Sequence, residues 1–246
     1  MKSGRTWRLA TLTMKLALLL ASAGPHAGAA AMAAAPVAAD EPELREFLKR
    51  FDAAQAEATT VVARFTETRR LRLLAKPLIL GGRFTFMRPN RVRWEYDAPD
   101  RRVFVLTENR YVAFYPDERR AEEVEIKSFV GKRLFRFLGV GQSSADLAKY
   151  YDMRPAEGSG PPGTRLLLLT PRRKRIEERV AAMKIWVDAT TFLPRQVAYE
   201  EPDGDGTVIS FEAARTNVPV GGRTFEVDLP SGVVRSQVFG GLARGH

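Results

Sequence analysis

Residues 83–99, RFTFMRPNRVRWEYDAP, read as strand, tight turn, strand. Phe84 and Phe86 alternate with other residues, Arg88-Pro89-Asn90 breaks the run, and Val92, Trp94 and Tyr96 then alternate with Arg91, Arg93 and Glu95. Alternation with a period of two puts every apolar side chain of a strand on one face. Proline presets φ for the turn and asparagine tolerates the bend. The hairpin therefore has one face of large rings and one of arginines. A sheet built this way has a greasy side, and what covers that side decides what the protein can hold.

The same signals extend on both sides of the hairpin. A strand over 61–69, with Phe65 at its centre, precedes it, and the first strand of the hairpin begins near Leu78. Strands over 102–107 and 110–115 carry Phe104 and Phe114 around Glu108-Asn109, and 121–126 follows Pro116-Asp117. After the Gly/Pro loop 158–163, strands over 165–170, 181–188, 195–200, 207–214 and 224–227 are separated by turn signals such as Asp203-Gly204-Asp205-Gly206.

Helical spacing interrupts this pattern twice. Asp40-Glu41-Pro42-Glu43 is a helix start with a capping residue and a first-turn proline. Leu44, Phe47, Leu48 and Phe51 then recur at i, i+3, i+4 and i+7, which gives a helix to about Ala58 one apolar stripe. In mid-chain, residues 129–138 place Val130, Leu134, Phe137 and Leu138 at helical spacing, and 144–151 opens on a serine cap and carries Leu147.

The predicted fold is mainly β with helices: an incomplete antiparallel β-barrel of ten or eleven strands with a helical lid over a hydrophobic cavity. Apolar helix stripes must be buried, and the concave face of a curved sheet is the surface offered. Helices that roof such a sheet incompletely leave a hollow of the kind that holds lipid. Its expected lining is Phe47 and Phe51 from the first helix, Phe65, Phe84, Phe86, Val92, Trp94, Tyr96, Phe104 and Phe114 from the strands, and Leu134, Phe137, Leu138 and Leu147 from the mid-chain helices.

Composition narrows the chemistry. The chain has 246 residues, a net charge of +10, no cysteine and two histidines, His26 and His246. Lys2, Arg5, Arg8 and Lys15 lie in the first 39 residues, which hold no acids, so subtracting those four leaves +6 for the rest. Without cysteine there is no disulfide, thiol nucleophile or lipidated cysteine, and scarce histidine removes His-based triads and most zinc sites. No catalytic residue, metal or cofactor is expected.

The basic start, the short apolar run 16–20 and the small residues through Ala35 have the order of an export signal, too short for a bilayer span. The domain plan is thus 1–39 as signal and small-residue linker, 40–236 as the binding domain, and 237–246 as a tail. The mature protein is expected outside the cytoplasm.

Other motifs have plainer explanations. Arg172-Arg173-Lys174-Arg175, followed by Glu177-Glu178, reads as a solvated hairpin tip. Strand alternation explains the arginines among the rings at 91–96 better than a nucleic-acid platform does, and no nucleic acid is expected. Asp203 and Asp205 lack the rest of a calcium loop. Arg88 ends a strand at the rim of the proposed hollow, where its donors can tie the carbonyls of a helix end. A surface arginine beside a turn has the same spacing.

Phe65-Thr66-Glu67-Thr68, Gly82-Arg83-Phe84-Thr85-Phe86-Met87-Arg88-Pro89-Asn90, Trp94 and Pro99, taken in order, resemble the LolA family of periplasmic outer-membrane lipoprotein carriers. Gln142-Ser143-Ser144, Asp146 and Tyr150 are similar to its mid-chain helical segment. Phe225 with Leu229-Pro230-Ser231-Gly232-Val233 is similar to its C-terminal strand and turn. The likeness spans about 40–235.

It implies a half-barrel lidded by helices and a monomer. That monomer would take acylated cargo, lipoprotein or glycolipid, from an inner-membrane exporter and pass it to an outer-membrane acceptor. It also implies that Arg88 fastens the closed lid, and that Val92 and Trp94 face the cavity. Residues 69–80, RRLRLLAKPLIL, are more apolar and basic than in the lipoprotein-dedicated carriers and resemble a divergent branch, so the cargo stays open. A periplasmic sensor of the same fold is the second expectation, and an enzyme using the cavity is the third.

Overall fold

A computed structural model describes residues 41–125 and 142–236. Helix α1 (Glu41–Glu57) is followed by β1 (Thr60–Arg70), β2 (Leu78–Met87), β3 (Arg91–Tyr96), β4 (Arg102–Leu106), β5 (Arg110–Tyr115) and β6 (Arg120–Glu125). The second half contains α2 (Ser144–Ala148), β7 (Tyr151–Ala156), β8 (Thr164–Pro171), α3 (Lys174–Glu177), β9 (Ala182–Asp188), β10 (Pro194–Glu200) and β11 (Gly206–Thr216). A 3-10 turn, Gly222–Phe225, and β12 (Val234–Ser236) close the described chain.

All twelve described strands join one sheet in the order β12-β6-β5-β4-β3-β2-β1-β11-β10-β9-β8-β7. Neighbours pair antiparallel except β12, which lies parallel to β6. The two ends, β12 and β7, do not pair with each other, so the sheet is open and not a closed barrel.

Pairing register fixes which side chains share a face. Ala63 pairs with Phe84, Phe84 with Trp94 and Trp94 with Phe104. Phe65 pairs with Gly82 on one side and Phe211 on the other. In the second half, Val197, Ile185 and Leu167 stand in one row. These residues belong to one buried cluster on the inner face, which also takes in Phe47 and Phe51 of α1. Gly82 is needed in this register: a Cβ there would come within 2.6 Å of the Phe65 ring and 2.1 Å of the Glu95 carbonyl.

The opening hairpin occurs as read, with Phe84, Phe86, Val92, Trp94 and Tyr96 all buried. Several expectations need correction. The sheet has twelve strands among the described residues, not ten or eleven. Residues 224–227 are not a strand: Arg93 Nη1 donates to the carbonyls of Thr224 and Glu226, both at 3.2 Å, and holds a 3-10 turn against β3. The helix over 144–151 ends at Ala148, and Tyr151 opens β7.

β7 carries Pro155, which an edge strand tolerates because one side of it has no ladder to donate to. β12 is three exposed residues and offers no alternation. The cap of α2 is Ser143, whose Oγ accepts from the Asp146 amide. At 172–175 the basic run is not a bare tip but enters α3, which buries Ile176. The expected helix over 129–138, the signal segment and the tail lie outside the described residues.

Candidate functional site

The inner face holds a continuous run of rings. Phe65 stands edge-on to Trp94 at 4.7 Å and to Tyr96 at 4.9 Å. Phe84 is 4.6 Å from Trp94 and 5.4 Å from Phe211. Tyr96 leads to Phe104 at 5.8 Å, and Phe104 to Tyr115 at 6.0 Å. The rings touch one another, so a guest on this face has to part them or displace what lies over them.

Of the residues expected to line a cavity, Phe47, Phe51, Phe65, Phe84, Phe86, Val92, Trp94, Tyr96 and Leu147 sit in this one buried cluster, with Phe104 packed against it. Phe114 does not. It pairs with Val103 and Ala121, on the opposite face from Ala113, which pairs with Phe104. A strand's alternation is strict, and Tyr111, Ala113 and Tyr115 are the inward residues of β5. Leu134, Phe137 and Leu138 lie outside the described residues.

α1 is laid on this face by its stripe of Leu44, Phe47, Leu48 and Phe51. Phe47 meets Phe192 of the β9–β10 turn at 5.6 Å. Asp52 accepts from the Ser144 amide at 2.5 Å and its hydroxyl at 2.7 Å, joining α1 to α2. The C-terminal end of α1 is held by Arg88: its Nε donates to the Ala58 carbonyl at 3.1 Å and its Nη2 to the Gln55 carbonyl. The Arg88 amide donates to the Thr59 carbonyl at 2.8 Å. A helix end leaves its last carbonyls unpaired, and a planar guanidinium supplies two donors at once. Beside this joint is a hollow of about 400 Å³ bounded by Ala54, Glu57 and Ala58 of α1, the start of β10 and Phe211.

The other end of the inner face is polar, a feature absent from the expected lining. Glu67 and Arg69, each 1% exposed, form an ion pair of 2.5 Å. The Tyr96 hydroxyl donates to the second Glu67 oxygen at 2.5 Å. Burial first, and then the Glu67 charge, hold the Tyr96 phenol well above its usual range. Arg102, 5% exposed, stacks over the Tyr96 ring at 4.4 Å. The signal was in the alternation itself: 65, 67 and 69 share a face, so a strand with Phe65 inward turns Glu67 and Arg69 inward too.

On the outer face, a hollow of about 440 Å³ lies between Trp186, Val208 and the loop at Gly158. The β1–β2 tip exposes Leu73 (97%) and is clipped to the β10–β11 turn by Arg72, whose amide donates to Asp205 at 2.9 Å. Among the described residues there is no group of side chains suited to a metal ion, and no helix long and apolar enough to cross a membrane.

Residues 56–228 match the family model described as outer membrane lipoprotein carrier protein LolA. No curated protein matches the chain by sequence. An uncharacterized conserved protein from Thermus thermophilus shares the fold, with a TM-score of 0.51 at 11% identity over 79% of this chain and 99% of its own. MucB of Pseudomonas aeruginosa, in its complex with MucA, gives a TM-score of 0.46 at 15% identity over 76% of this chain and 61% of its own. The Mycobacterium tuberculosis lipoprotein LppX gives 0.43 at 11% identity over 74% and 99%. At 11% identity the likeness to the Thermus protein is one of fold alone.

Proposed function

From the premise that this chain belongs to the LolA family of outer membrane lipoprotein carrier proteins, we propose that it is a noncatalytic periplasmic carrier of acylated cargo. It receives a lipoprotein or glycolipid from an inner-membrane exporter, shelters the acyl chains on the ring face under α1, and yields them to an outer-membrane acceptor. The observation that carries this reading is the joint at Arg88. A roof whose apolar stripe lies on the rings, tied at its end by hydrogen bonds to two carbonyls, is a part that can lift and reseat.

Energetics call for such a part. Burying one methylene contributes about 0.8 kcal/mol, so a sixteen-carbon chain gains roughly 12 kcal/mol before entropy costs. Affinity of that order would hold cargo too firmly to pass on. A closed state in which Phe47 and Phe51 occupy the face competes with the guest, and apparent affinity falls with the fraction of protein that is open. Arg88 stabilises the closed state and so sets that fraction.

Arg88→Leu removes both donors while leaving the ring face intact. The variant is expected to retain acyl cargo on purification, identified by mass spectrometry of extracted lipid, and to transfer it to an acceptor at least about tenfold more slowly, which corresponds to about 1.4 kcal/mol of lost competition. Transfer at the wild-type rate would refute the latch. Absence of acyl cargo from both proteins, under conditions where the donor is present, would refute the carrier.

A further inference from the structure

The inner face ends in charges that an acyl chain does not need. We infer that Glu67, Arg69, Tyr96 and Arg102 form a recognition site for the anionic headgroup of the cargo, an oxyanion of the phosphate or carboxylate type. This rests on the carrier reading and adds a chemical class to it.

Buried donors without acceptors are the first support. The Glu67 carboxylate is engaged on both oxygens, by Arg69 Nε and by the Tyr96 hydroxyl. It neutralises Arg69 and has no further oxygen to offer. Nearby, Arg120 is engaged by both Glu118 and Glu122. Arg102 is left without an anionic partner among the described residues. Its Nε and Nη2 are buried with no acceptor, and so is Nη2 of Arg69. A buried donor left without an acceptor forfeits its hydration and gains nothing in return. Three buried guanidinium donors, two on Arg102 and one on Arg69, thus have no acceptor.

Position is the second. Tyr96 belongs to both the cluster and the rings: Arg102 stacks on it at 4.4 Å, Phe65 meets it at 4.9 Å and Phe104 at 5.8 Å. A chain laid along Phe84, Trp94 and Phe65 brings its polar end to Tyr96. Both arginines flank that point, and guanidinium donors in a planar fork match the geometry of a phosphate or carboxylate oxygen pair. Neutral heads, such as a diglyceride, offer these donors only uncharged acceptors, whose hydrogen bonds are weaker than those of an oxyanion. The site therefore selects as well as binds.

The test uses the full chain, titrated calorimetrically below micelle concentrations with dodecyl phosphate, dodecanoate and the neutral monododecanoyl glycerol, whose chain lengths match. Both anionic amphiphiles are expected to bind at least about tenfold more tightly than the neutral one. Arg102→Gln should bring them down to the neutral level, and Arg102→Lys should keep part of the preference. Equal binding of all three by the wild-type protein overturns the headgroup site and leaves the carrier standing. Binding of none overturns the carrier and this site with it. Inorganic phosphate alone is expected to bind far more weakly than dodecyl phosphate; equal affinity would assign the cluster to a free anion and overturn the proposal. If Arg102→Gln does not fold, the wild-type comparison and Arg102→Lys still decide.

Discussion

Glu67 shows how a single residue carries two consequences. Its carboxylate is buried, ion-paired and hydrogen-bonded, so its removal strands Arg69 in a place without water. Glu67→Leu is expected to cost about 3–5 kcal/mol in urea unfolding. Replacing the linked trio, as in Glu67→Leu/Arg69→Met/Tyr96→Phe, should restore wild-type stability or exceed it, because the ion pair and its phenol are then removed together and none of the three leaves a stranded charge. A triple variant no more stable than the single one would mean that the pair holds the sheet together in its own right. The residue is also where sequence reading stopped short. Parity identified the inward rings of β2 and β3 because the intervening residues are polar, Arg83 and Thr85 in one and Arg91, Arg93 and Glu95 in the other. In β1 the inward positions are themselves charged, so hydrophobicity no longer marks the face and only counting from Phe65 does.

At the scale of elements, strands with strong alternation and turn residues between them were legible nearly to the residue, as β2 and β5 show. Those set by partners were not. The 3-10 turn at Gly222–Phe225 has strand-like residues but is bound by Arg93 from across the sheet, and β12 pairs with β6 through backbone alone. Half of the candidate site was visible: the ring face and Arg88 were, while the register that turns Phe114 outward follows from pairing that local spacing does not encode. Turns have their own energetics, and that between β9 and β10 hangs on Asp188. Its Oδ1 accepts from the Thr190 amide at 3.0 Å, the Thr191 amide at 2.8 Å and the Thr191 hydroxyl at 3.1 Å. Hydrogen bonds from Thr191 above all hold the carboxyl below the ordinary range. A depressed carboxylate stabilises fully above its unfolded value of about 4 and loses that contribution as pH falls through its folded value. Wild type should therefore exceed Asp188→Asn in stability at neutral pH, with the gap closing as the solution is taken below about pH 4. A gap unchanged by acid would assign the effect to the turn's shape instead of its charge.

At the largest scale, the described residues form one sheet around one buried cluster, and that cluster spans both halves from β5 to β7. Two halves that share a core should not come apart separately, and the buried tyrosines offer a way to see it. Tyr96 on β3 and Tyr111 on β5 are held well above the usual phenol range, burial being the main cause in each. Tyr115, Tyr151 and Tyr199 are pushed up to about 12, again by burial first. These residues sit on strands from one side of the sheet to the other. In the unfolded chain a phenol ionises near pH 10. Above that value the unfolded state has released protons that the folded state still holds, so stability is complete below about pH 10 and drains away as pH climbs toward 12. With five groups acting together, the loss should be steep. Tyrosinate absorbance should then rise in one step, at the same pH at which the far-ultraviolet signal of the sheet disappears. A first tyrosinate rise with the sheet signal half retained would show that the β7–β10 side and the β2–β6 side fold as separate units. In that case α1, which lies on the cluster joining them, would be a bridge between two modules and not the roof of one.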